Sequence, residues 1–454
     1  MLGKPRHQMD MCHGSLADKI LKFAIPLMAS SILQLLFNAA DVIVVGRFAG
    51  KESLAAVGST TSLINLLIAL FVGLSVGTNV VVARNLGGKR HDMVSKAVHT
   101  SILMALVSGA VLAVFGAIMS HQLLVWMSSP EDVINLSTLY LRIYFLGMPA
   151  TMAYNFGAAI LRAQGDTQRP LFYLIIAGVV NVVLNLVSVS PDGHGRGWRS
   201  DGHDHLSVHL GRSGPDVPHP RGRPPAPELR DMHIDRHILG QIMEIGLPAG
   251  FQGIVFSLSN VLIQSSINSF GSMVVAGNSA SSNLEGFVYT AMNAFAQAAV
   301  TFTSQNIGAR KYHNLDRVIR NCLLCVVVTG LVLGGGAALA GHQLLRFYSS
   351  DTAVIATGAE RLRLICGFYL LCGIMDVLAS SLRGLGYSVL PMVVSLVGVC
   401  VLRLVWIATI FQLNRTPFML YISYPISWAL TALVHLACLL VVRRHLRQKQ
   451  QQTV

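Results

Sequence analysis

Residues 161–170, LRAQGDTQRP, recur at residues 382–391 as LRGLGYSVLP, with a Leu-Arg pair, a glycine and a proline in the same register. The offset between the two stretches is 221 residues, and other pairs share it: Arg142 with Arg363, Asn155 with Asp376, and Asn85-Leu86-Gly87 with Asn306-Ile307-Gly308. Near the start of each half, Ile25-Pro26 pairs with Leu247-Pro248 at an offset of 222. A series of matches in one register indicates an internal repeat, so the sequence predicts two lobes of similar fold.

The composition places both halves in a membrane. Of the 454 residues, 53% are hydrophobic and 12% are charged, and the mean hydropathy is +0.57. Soluble domains carry about 25% charged residues, so a large soluble helical protein is excluded and an all-α membrane protein is predicted. Eleven apolar segments have the length that crosses a bilayer: 17–46, 53–82, 93–119, 133–160, 169–189, 238–267, 272–304, 317–340, 355–381, 388–411 and 418–442.

The positive charge predicts how these segments are oriented. The net charge of +13 lies in short Lys and Arg clusters between apolar segments, which is typical of the cytoplasmic loops of a membrane protein and argues against nucleic-acid binding. With eleven spans the last two clusters fall outside the cell, whereas with twelve every cluster is cytoplasmic. We therefore expect a sixth span between residues 189 and 238, both termini in the cytoplasm, and two parallel six-helix repeats.

The segment 189–230 does not look like a span, because residues 191–227 hold seven of the sixteen prolines. Three interpretations remain open: a disordered loop, a histidine-rich metal tract, or a span translated out of frame. The histidine spacing matches no standard metal site, so no metal ligand is assigned. Moved by one base, the codons of His and Asp become codons for Ile, Met or Thr. A run rich in Gly, Asp and His is therefore what an apolar helix looks like out of frame, and two compensating frame changes are expected near 188–192 and 221–228.

Several motifs carry a family resemblance. The first apolar segment contains Phe37-Asn38-Ala39-Ala40-Asp41-Val42-x-x-Val45-Gly46, and the others are Asn181-x-x-x-Asn185, Gly246-Leu247-Pro248 and Ser304-Gln305-Asn306-Ile307-Gly308. As a set they resemble the signatures of bacterial multidrug and toxic compound extrusion (MATE) transporters, over nearly the whole chain except about 189–230. The resemblance implies a twelve-helix MATE-type fold of two lobes. The N-terminal lobe would be residues 1–235, with spans 1–5 and the anomalous segment, and the C-terminal lobe would be residues 236–454, with spans 7–12.

The resemblance also implies a function. Such proteins are secondary active antiporters that export organic, often cationic drugs or toxins in exchange for H⁺ or Na⁺, with the substrate held between rocking lobes. We expect a plasma-membrane monomer that is not an enzyme, has no catalytic residues and uses no cofactor apart from the coupling ion. No ATP-binding glycine loop of the Walker type is present.

Two alternatives remain open beside this function: a flippase for lipid-linked or polysaccharide precursors in the same superfamily, or an inactive product of a frame-shifted gene. A flippase should line its cavity with basic residues. The intramembrane charges recognised in the sequence are mainly acidic, with Arg403 as the exception.

Asp41 is the main candidate for coupling to an ion. A carboxylate within an apolar span is costly in lipid and is by default functional, although Asp41 could instead be solvated near the end of the span with Arg47. Asn181 and Asn185 lie four residues apart, on one face of a helix. The resemblance implies an ion site in the N-terminal lobe that brings them together with Asp41 and Asn155, whereas the alternative is hydrogen bonding between helices.

The second lobe offers a further polar set of Glu285, Asp376 and Gln264, which could attract a cationic substrate or could only form structural hydrogen bonds. Pro26 and Pro248 lie in the first span of each half, and each removes a backbone hydrogen bond and permits a bend. Such a bend could link the state of Asp41 to the shape of the cavity. The alternative is that Pro26 lies in the first turn and only starts its helix.

The frame hypothesis predicts the outcome of sequencing the coding DNA across residues 185–230. We expect two compensating insertions or deletions relative to the DNA of related isolates, with an apolar span in the restored frame. The same uninterrupted frame in several isolates would contradict the hypothesis.

Overall fold

The computed structural model describes residues 9–48, 50–127, 133–188 and 233–451; for residues 40–48, 50–59, 61, 62, 181–188 and 449–451 the helical backbone is described without the side chains. Every regular element in these ranges is a helix, as the composition predicts. The first half comprises α1 (Leu16–Phe48), α2 (Gly50–Gly87), α3 (His91–Trp126), α4 (Ile134–Leu146), α5 (Met148–Ala163) and α6 (Gln168–Ser188).

The second half begins with three long helices, α7 (Arg236–Asn268), α8 (Ser272–Gly308) and α9 (Tyr312–Thr329). Shorter helices follow: α10 (Gly335–Leu339), α11 (Gly341–Leu345), α12 (Thr352–Gly367), α13 (Tyr369–Leu385), α14 (Val389–Ser395), α15 (Leu402–Ala408), α16 (Ile410–Leu413) and α17 (Pro417–Tyr421). The last helix is α18 (Ser423–Gln451). Two π-helical segments, Gly330–Gly334 and Leu396–Val401, interrupt the α-helical geometry.

All eleven predicted apolar segments are helical. Seven helical stretches in the described part are long and apolar enough to cross a membrane, and an eighth is obtained if α12 and α13, which meet at a 42° bend, count as one span. The fourth segment is likewise divided, into α4 and α5, at Gly147. The expected sixth span and the frame changes lie outside the described residues.

The repeated stretches 161–170 and 382–391 form the same turn in both halves. Gly165 and Gly386 adopt φ values of +85° and +101°, in the left-handed region that glycine enters without steric cost. The Asp166 amide donates to the Leu161 carbonyl, and the Tyr387 amide donates to the Leu382 carbonyl, both at 3.0 Å. This is the Schellman ending of a helix, so the repeat in sequence is a repeat in backbone geometry.

The chain divides into two compact units whose limits differ from the predicted lobes at 1–235 and 236–454. Unit 1 comprises Met1–Asp10 and Ala29–Gly250, and unit 2 comprises Met11–Met28 and Phe251–Val454. The start of α1 therefore belongs to unit 2 and the start of α7 belongs to unit 1. Each unit contains the beginning of the first helix of the opposite half of the sequence. A division at the loop between the halves does not reproduce this exchange.

Glycines explain how the start of α7 packs in unit 1. Residues 73–77 (GLSVG) on α2 and 246–250 (GLPAG) on α7 both carry glycines four apart, a spacing that lets membrane helices approach closely. A Cβ atom on Gly73 would overlap the backbone of Gly250, and one on Gly246 would come within 2.7 Å of the Leu74 Cα. The two helices are therefore in backbone contact at positions that tolerate no side chain.

The segment that precedes each of these first helices is also anchored. In unit 2, Asn306 Nδ2 donates to the Met11 carbonyl at 3.0 Å and Asn314 Nδ2 donates to the Cys12 carbonyl at 2.9 Å. In unit 1, the Asp235 amide donates to Thr100 Oγ1 at 3.1 Å. The Asp235 carboxylate caps α7 by accepting from the Ile238 amide, and this bond, together with the nearby Lys96 ammonium, lowers the pKa of Asp235.

Both candidate bend residues lie well inside their helices. Pro26 is ten residues into α1, and Pro248 is twelve residues into α7. The alternative that Pro26 only starts its helix is therefore wrong. Each proline lies two residues before the point at which its helix passes from one unit to the other.

We expect Gly73→Ala to lower the thermal unfolding midpoint in detergent, since its Cβ would overlap backbone that cannot move aside, and overpacking costs about 1–3 kcal/mol. Gly157→Ala is the matched control, because a Cβ there meets nothing within 4 Å. Its midpoint should stay unchanged or rise, since alanine favours a helix interior by about 0.5–1 kcal/mol relative to glycine. Equal midpoints for the two variants would contradict the close packing of α2 and α7.

Candidate functional site

The predicted ion site of the first half is distributed over three helices. Asp41 lies on α1, and Asn181 and Asn185 lie on α6, but the side chains of all three fall outside the described residues. Asn155 on α5 is half-buried, and its Nδ2 donates to the Thr151 carbonyl of the preceding turn at 3.0 Å. The hydrogen bond within α5 leaves the Oδ1 atom of this amide available to accept from, or to ligate, another group.

A close contact brings α1 and α6 together beside these residues. A Cβ atom on Gly178 would overlap the ring of Phe37, so this glycine provides the space that the ring occupies. Asp41 lies one turn after Phe37, and Asn181 lies one turn after Gly178. Since successive spans alternate in direction, α1 and α6, the first and fifth spans, run parallel. The backbone at Asp41 and the backbone at Asn181 therefore lie on the same side of the contact between Phe37 and Gly178.

In unit 2, Glu285 forms a buried ion pair that the sequence did not reveal. Arg361 Nε and Nη2 donate to the two carboxylate oxygens of Glu285, both at 2.7 Å. The side chains of Arg361 and Glu285 are only 6% and 9% exposed. A two-pronged contact of this kind is among the strongest hydrogen-bonded pairs in proteins. It joins α8 to α12 and leaves Glu285 without a free negative charge.

The polar network of this ion pair extends to Gln264. Arg361 Nη1 donates to Asn278 Oδ1. Asn278 Nδ2 in turn donates to Gln264 Oε1 at 3.2 Å. Of the predicted second-lobe set, Gln264 and Glu285 are therefore brought into one connected network, through Asn278 and Arg361.

Asp376 belongs to a second cluster. Its carboxylate interacts with the Tyr289 hydroxyl and with the positive charge of Arg383, two turns further along α13. Arg383 Nη2 also donates to Gln252 Oε1 on α7 at 2.6 Å, and Asn293 Nδ2 donates to the Tyr289 hydroxyl at 3.4 Å. Of the two acids in the predicted second-lobe set, Asp376 is thus the one that no direct salt bridge among the described residues neutralises.

The expectation that Arg403 is the exceptional base among intramembrane acids is wrong. Arg361 and Arg383 also lie within spans, each beside one of the acids. Arg361 stands in the apolar segment 355–381, where any charge is unusual enough to require a partner. The described residues hold no group of three or more His, Cys, Asp or Glu that could bind a metal ion.

The comparison with protein families identifies the family of this chain. The model of the MatE family matches residues 26–187 and again residues 248–409. The two matches are displaced by the same 222 residues at both ends, which confirms the internal repeat. The chain belongs to the MATE family.

Relatives of this MATE protein are named as multidrug resistance proteins or as transporters. It is 25% identical over 420 residues to the "Probable multidrug resistance protein YoeA" of Bacillus subtilis (strain 168), covering 91% of each chain. It is 21% identical over 403 residues to an "FAD transporter" of Shewanella oneidensis, covering 86% of this chain and 88% of that protein.

A solved structure shares the fold. The outward-facing conformation of a multidrug resistance MATE transporter of the MOP superfamily superimposes with a TM-score of 0.89, at 21% identity, over 98% of this chain and 100% of that chain. The MATE family and these relatives are transporters and not enzymes, so the protein is a multi-pass membrane transporter of the multidrug efflux type.

The Glu285–Arg361 pair predicts a specific pattern of stability. We expect Glu285→Gln to lower the thermal unfolding midpoint strongly, because removing one partner of a buried pair costs about 3–5 kcal/mol. The double variant Glu285→Gln/Arg361→Met should be less destabilised than Glu285→Gln alone, since no uncompensated charge remains.

Glu360→Gln is the control for this experiment, because Glu360 lies next to Arg361 in sequence but is exposed. Its midpoint should be close to that of the unmodified protein. The single variants Glu285→Gln and Arg361→Met each lower the midpoint by some amount. If these two losses simply add in the double variant, the pair does not act as a unit.

Proposed function

We propose that this MATE transporter is a secondary active antiporter that exports organic, cationic compounds from the cell in exchange for H⁺ or Na⁺. The observation that carries the proposal is the family match in both halves, supported by a relative named as a multidrug resistance protein over 91% of the chain. The coupling ion and the substrate class are inferred from the residues described above.

Asp41, Asn155, Asn181 and Asn185 are proposed to bind the coupling ion. A carboxylate in an apolar span can take up a proton, or can hold Na⁺ with amide and carbonyl oxygens as further hard ligands. The contact of Phe37 with Gly178 supports this grouping, since it joins α1 and α6 one turn from Asp41 and Asn181. Pro26 lies on the same helix as Asp41, so a bend there would transmit the occupancy of the ion site to the start of α1; Pro248 has the same place in α7.

Asp376 is proposed to attract the cationic substrate in the second half. It lies beside the Tyr289 hydroxyl, and an aromatic ring next to a carboxylate suits a flat organic cation. Glu285 and Gln264 would contribute only if the contact with Arg361 opened. The proposal places the protein in the plasma membrane as a monomer with both termini in the cytoplasm, in keeping with the basic clusters.

We expect Asp41→Asn to abolish gradient-driven export of ethidium. Asparagine keeps the shape of the side chain, but it carries no negative charge and cannot take up and release a proton. Export of the dye is then no longer coupled to the ion gradient. The measurement is dye efflux from cells and, with the purified protein in liposomes, dye movement driven by an imposed H⁺ gradient or an imposed Na⁺ gradient. Efflux should fall to the level of cells without the transporter, and the gradient that drives the unmodified protein identifies the ion.

Asp92→Asn serves as the control, since Asp92 is an exposed carboxylate in the first turn of α3, and its efflux should equal that of the unmodified protein. Unchanged efflux in Asp41→Asn would remove this residue from the mechanism. If the unmodified protein moves no dye under either gradient, the antiport proposal itself fails.

A further inference from the structure

Arg403 is a buried cation without a counter-ion among the described residues. Among the residues the structure describes, the fully buried carboxylates and guanidinium groups belong to Asp166, Glu285, Arg361 and Arg403. Asp166 pairs with Arg169 at 3.0 Å, and Glu285 pairs with Arg361. Arg403 is 4% exposed, and within the described ranges no carboxylate interacts with it.

The hydrogen bonds of Arg403 are also incomplete. Its Nε donates to Ser427 Oγ at 2.8 Å, but its Nη2 is buried without a hydrogen-bond partner in the described part of the chain. An arginine cannot shed its proton to escape this situation. A buried charge with an open donor is costly, so the site lacks an acceptor, and a negatively charged one would satisfy it best.

Aromatic rings surround the same guanidinium group. Its central carbon lies 4.0 Å from the centre of the Tyr424 ring and 5.6 Å from that of Trp428. Trp428 in turn packs against Tyr369 with ring centres 5.3 Å apart. Tyr369 is 6.4 Å from Tyr289, the partner of Asp376. A row of four rings therefore connects the unpaired base with the carboxylate proposed to attract the cation.

The local backbone also departs from regular geometry at this point. The π-helical segment Leu396–Val401 ends two residues before Arg403, and such segments occur frequently at functional sites. A Cβ atom on Gly398, within this segment, would overlap the Thr431 side chain, so the segment lies directly against α18. Thr431 Oγ1 donates to the Ser427 carbonyl at 2.6 Å, which helps to hold the turn of α18 that faces Arg403.

We propose that Arg403, Ser427, Tyr424 and Trp428 form an anion-binding subsite that takes the carboxylate of a zwitterionic aromatic substrate. The open Nη2 and the fork of the guanidinium suit a carboxylate, and the rings suit the flat apolar body of such a molecule. Tyr424 is half-buried, and the subsite requires this ring to turn aside so that a ligand can reach Nη2. The inference rests on the proposed export function, to which it adds the residues that would hold the carboxylate of such a substrate.

The test uses two dyes that share one cationic ring system. Rhodamine 110 carries a free carboxylate, and rhodamine 123 is its methyl ester. Binding of each dye to the purified transporter in detergent is measured by fluorescence anisotropy for the unmodified protein, Arg403→Gln, Arg403→Lys and the control Arg363→Gln, which removes an exposed guanidinium from α12.

We expect Arg403→Gln to weaken rhodamine 110 binding by roughly tenfold or more, the factor that a charge-assisted hydrogen bond contributes. Rhodamine 123 should change by less than about twofold, since the ester offers no charge to the guanidinium. Arg403→Lys keeps the charge but loses the fork, so its rhodamine 110 affinity should fall between the other two. Arg363→Gln should match the unmodified protein for both dyes.

Equal losses for both dyes, or no loss for either, would overturn the proposal and leave Arg403 as a structural brace held by its rings. If Arg403→Gln does not fold, Arg403→Lys decides: an unchanged ratio of the two dye affinities would then contradict the subsite. Displacement of rhodamine 110 by phosphatidylglycerol, in an Arg403-dependent manner, would assign the site to a lipid phosphate and so also overturn the substrate proposal.

The failure of this inference and that of the export proposal are distinguishable by cellular efflux of the same dyes. Export of rhodamine 123 together with Arg403-independent binding of rhodamine 110 leaves the antiporter intact and removes the subsite. Arg403-dependent binding of rhodamine 110 without export of either dye has the opposite meaning, since the subsite then stands and the export proposal fails.

Discussion

The hydrocarbon core of a bilayer offers no water to a buried charge, so a charge there is costly unless it finds a partner within the protein. This constraint organises unit 2. Glu285 and Arg361 satisfy each other and so join α8 to α12. Arg383 lies beside Asp376 and also reaches Gln252, which ties α13 to α7. The charges therefore act as fixed points between helices whose remaining surfaces are apolar and, in lipid, have little hydrophobic reason to associate.

Where charges are absent, small residues and hydrogen-bonded segments hold the helices together. In unit 1 the glycines of α2 and α7 allow backbone contact, and Gly178 makes room for the ring of Phe37. The segments preceding α1 and α7 are each held by hydrogen bonds, from Asn306 and Asn314 side chains in one unit and to the Thr100 side chain on α3 in the other. The beginning of the first helix of each half lies in the unit of the other half, so this exchange occurs twice in the repeat.

The sequence predicts the helices, the repeat and the family, because the length of an apolar segment and the offset of a repeat can be read from the order of residues along the chain. It also indicates that Gly165 and Gly386 are equivalent, since both stretches share a Leu-Arg pair, a glycine and a proline in one register. It does not predict which side chains meet. Arg361 and Glu285 are 76 residues apart, and no local pattern connects them, so the sequence leaves open whether Glu285 attracts a substrate or forms structural hydrogen bonds. The limits of the two compact units are not visible in the sequence for the same reason, since a helix that leaves one unit and enters another has an unbroken apolar pattern.

The repeat shows how the sequences of the two halves could diverge without leaving a buried charge unpaired. At the offset of 221 residues, Glu285 and Arg361 correspond to Ile64 and Tyr140. The acid and the base are thus present together in one half and absent together in the other, as expected when a lone buried charge is far more costly than none. Asp376 corresponds to Asn155, whereas Asp41, at the offset of 222 that holds near the starts of the halves, corresponds to Ile263. The first half therefore carries Asp41 on its first span, where the second half has an apolar residue, and the second half carries Asp376 on its fourth, where the first half has an amide. A difference of this kind between two copies of one fold supports the proposal that the two halves bind different ligands.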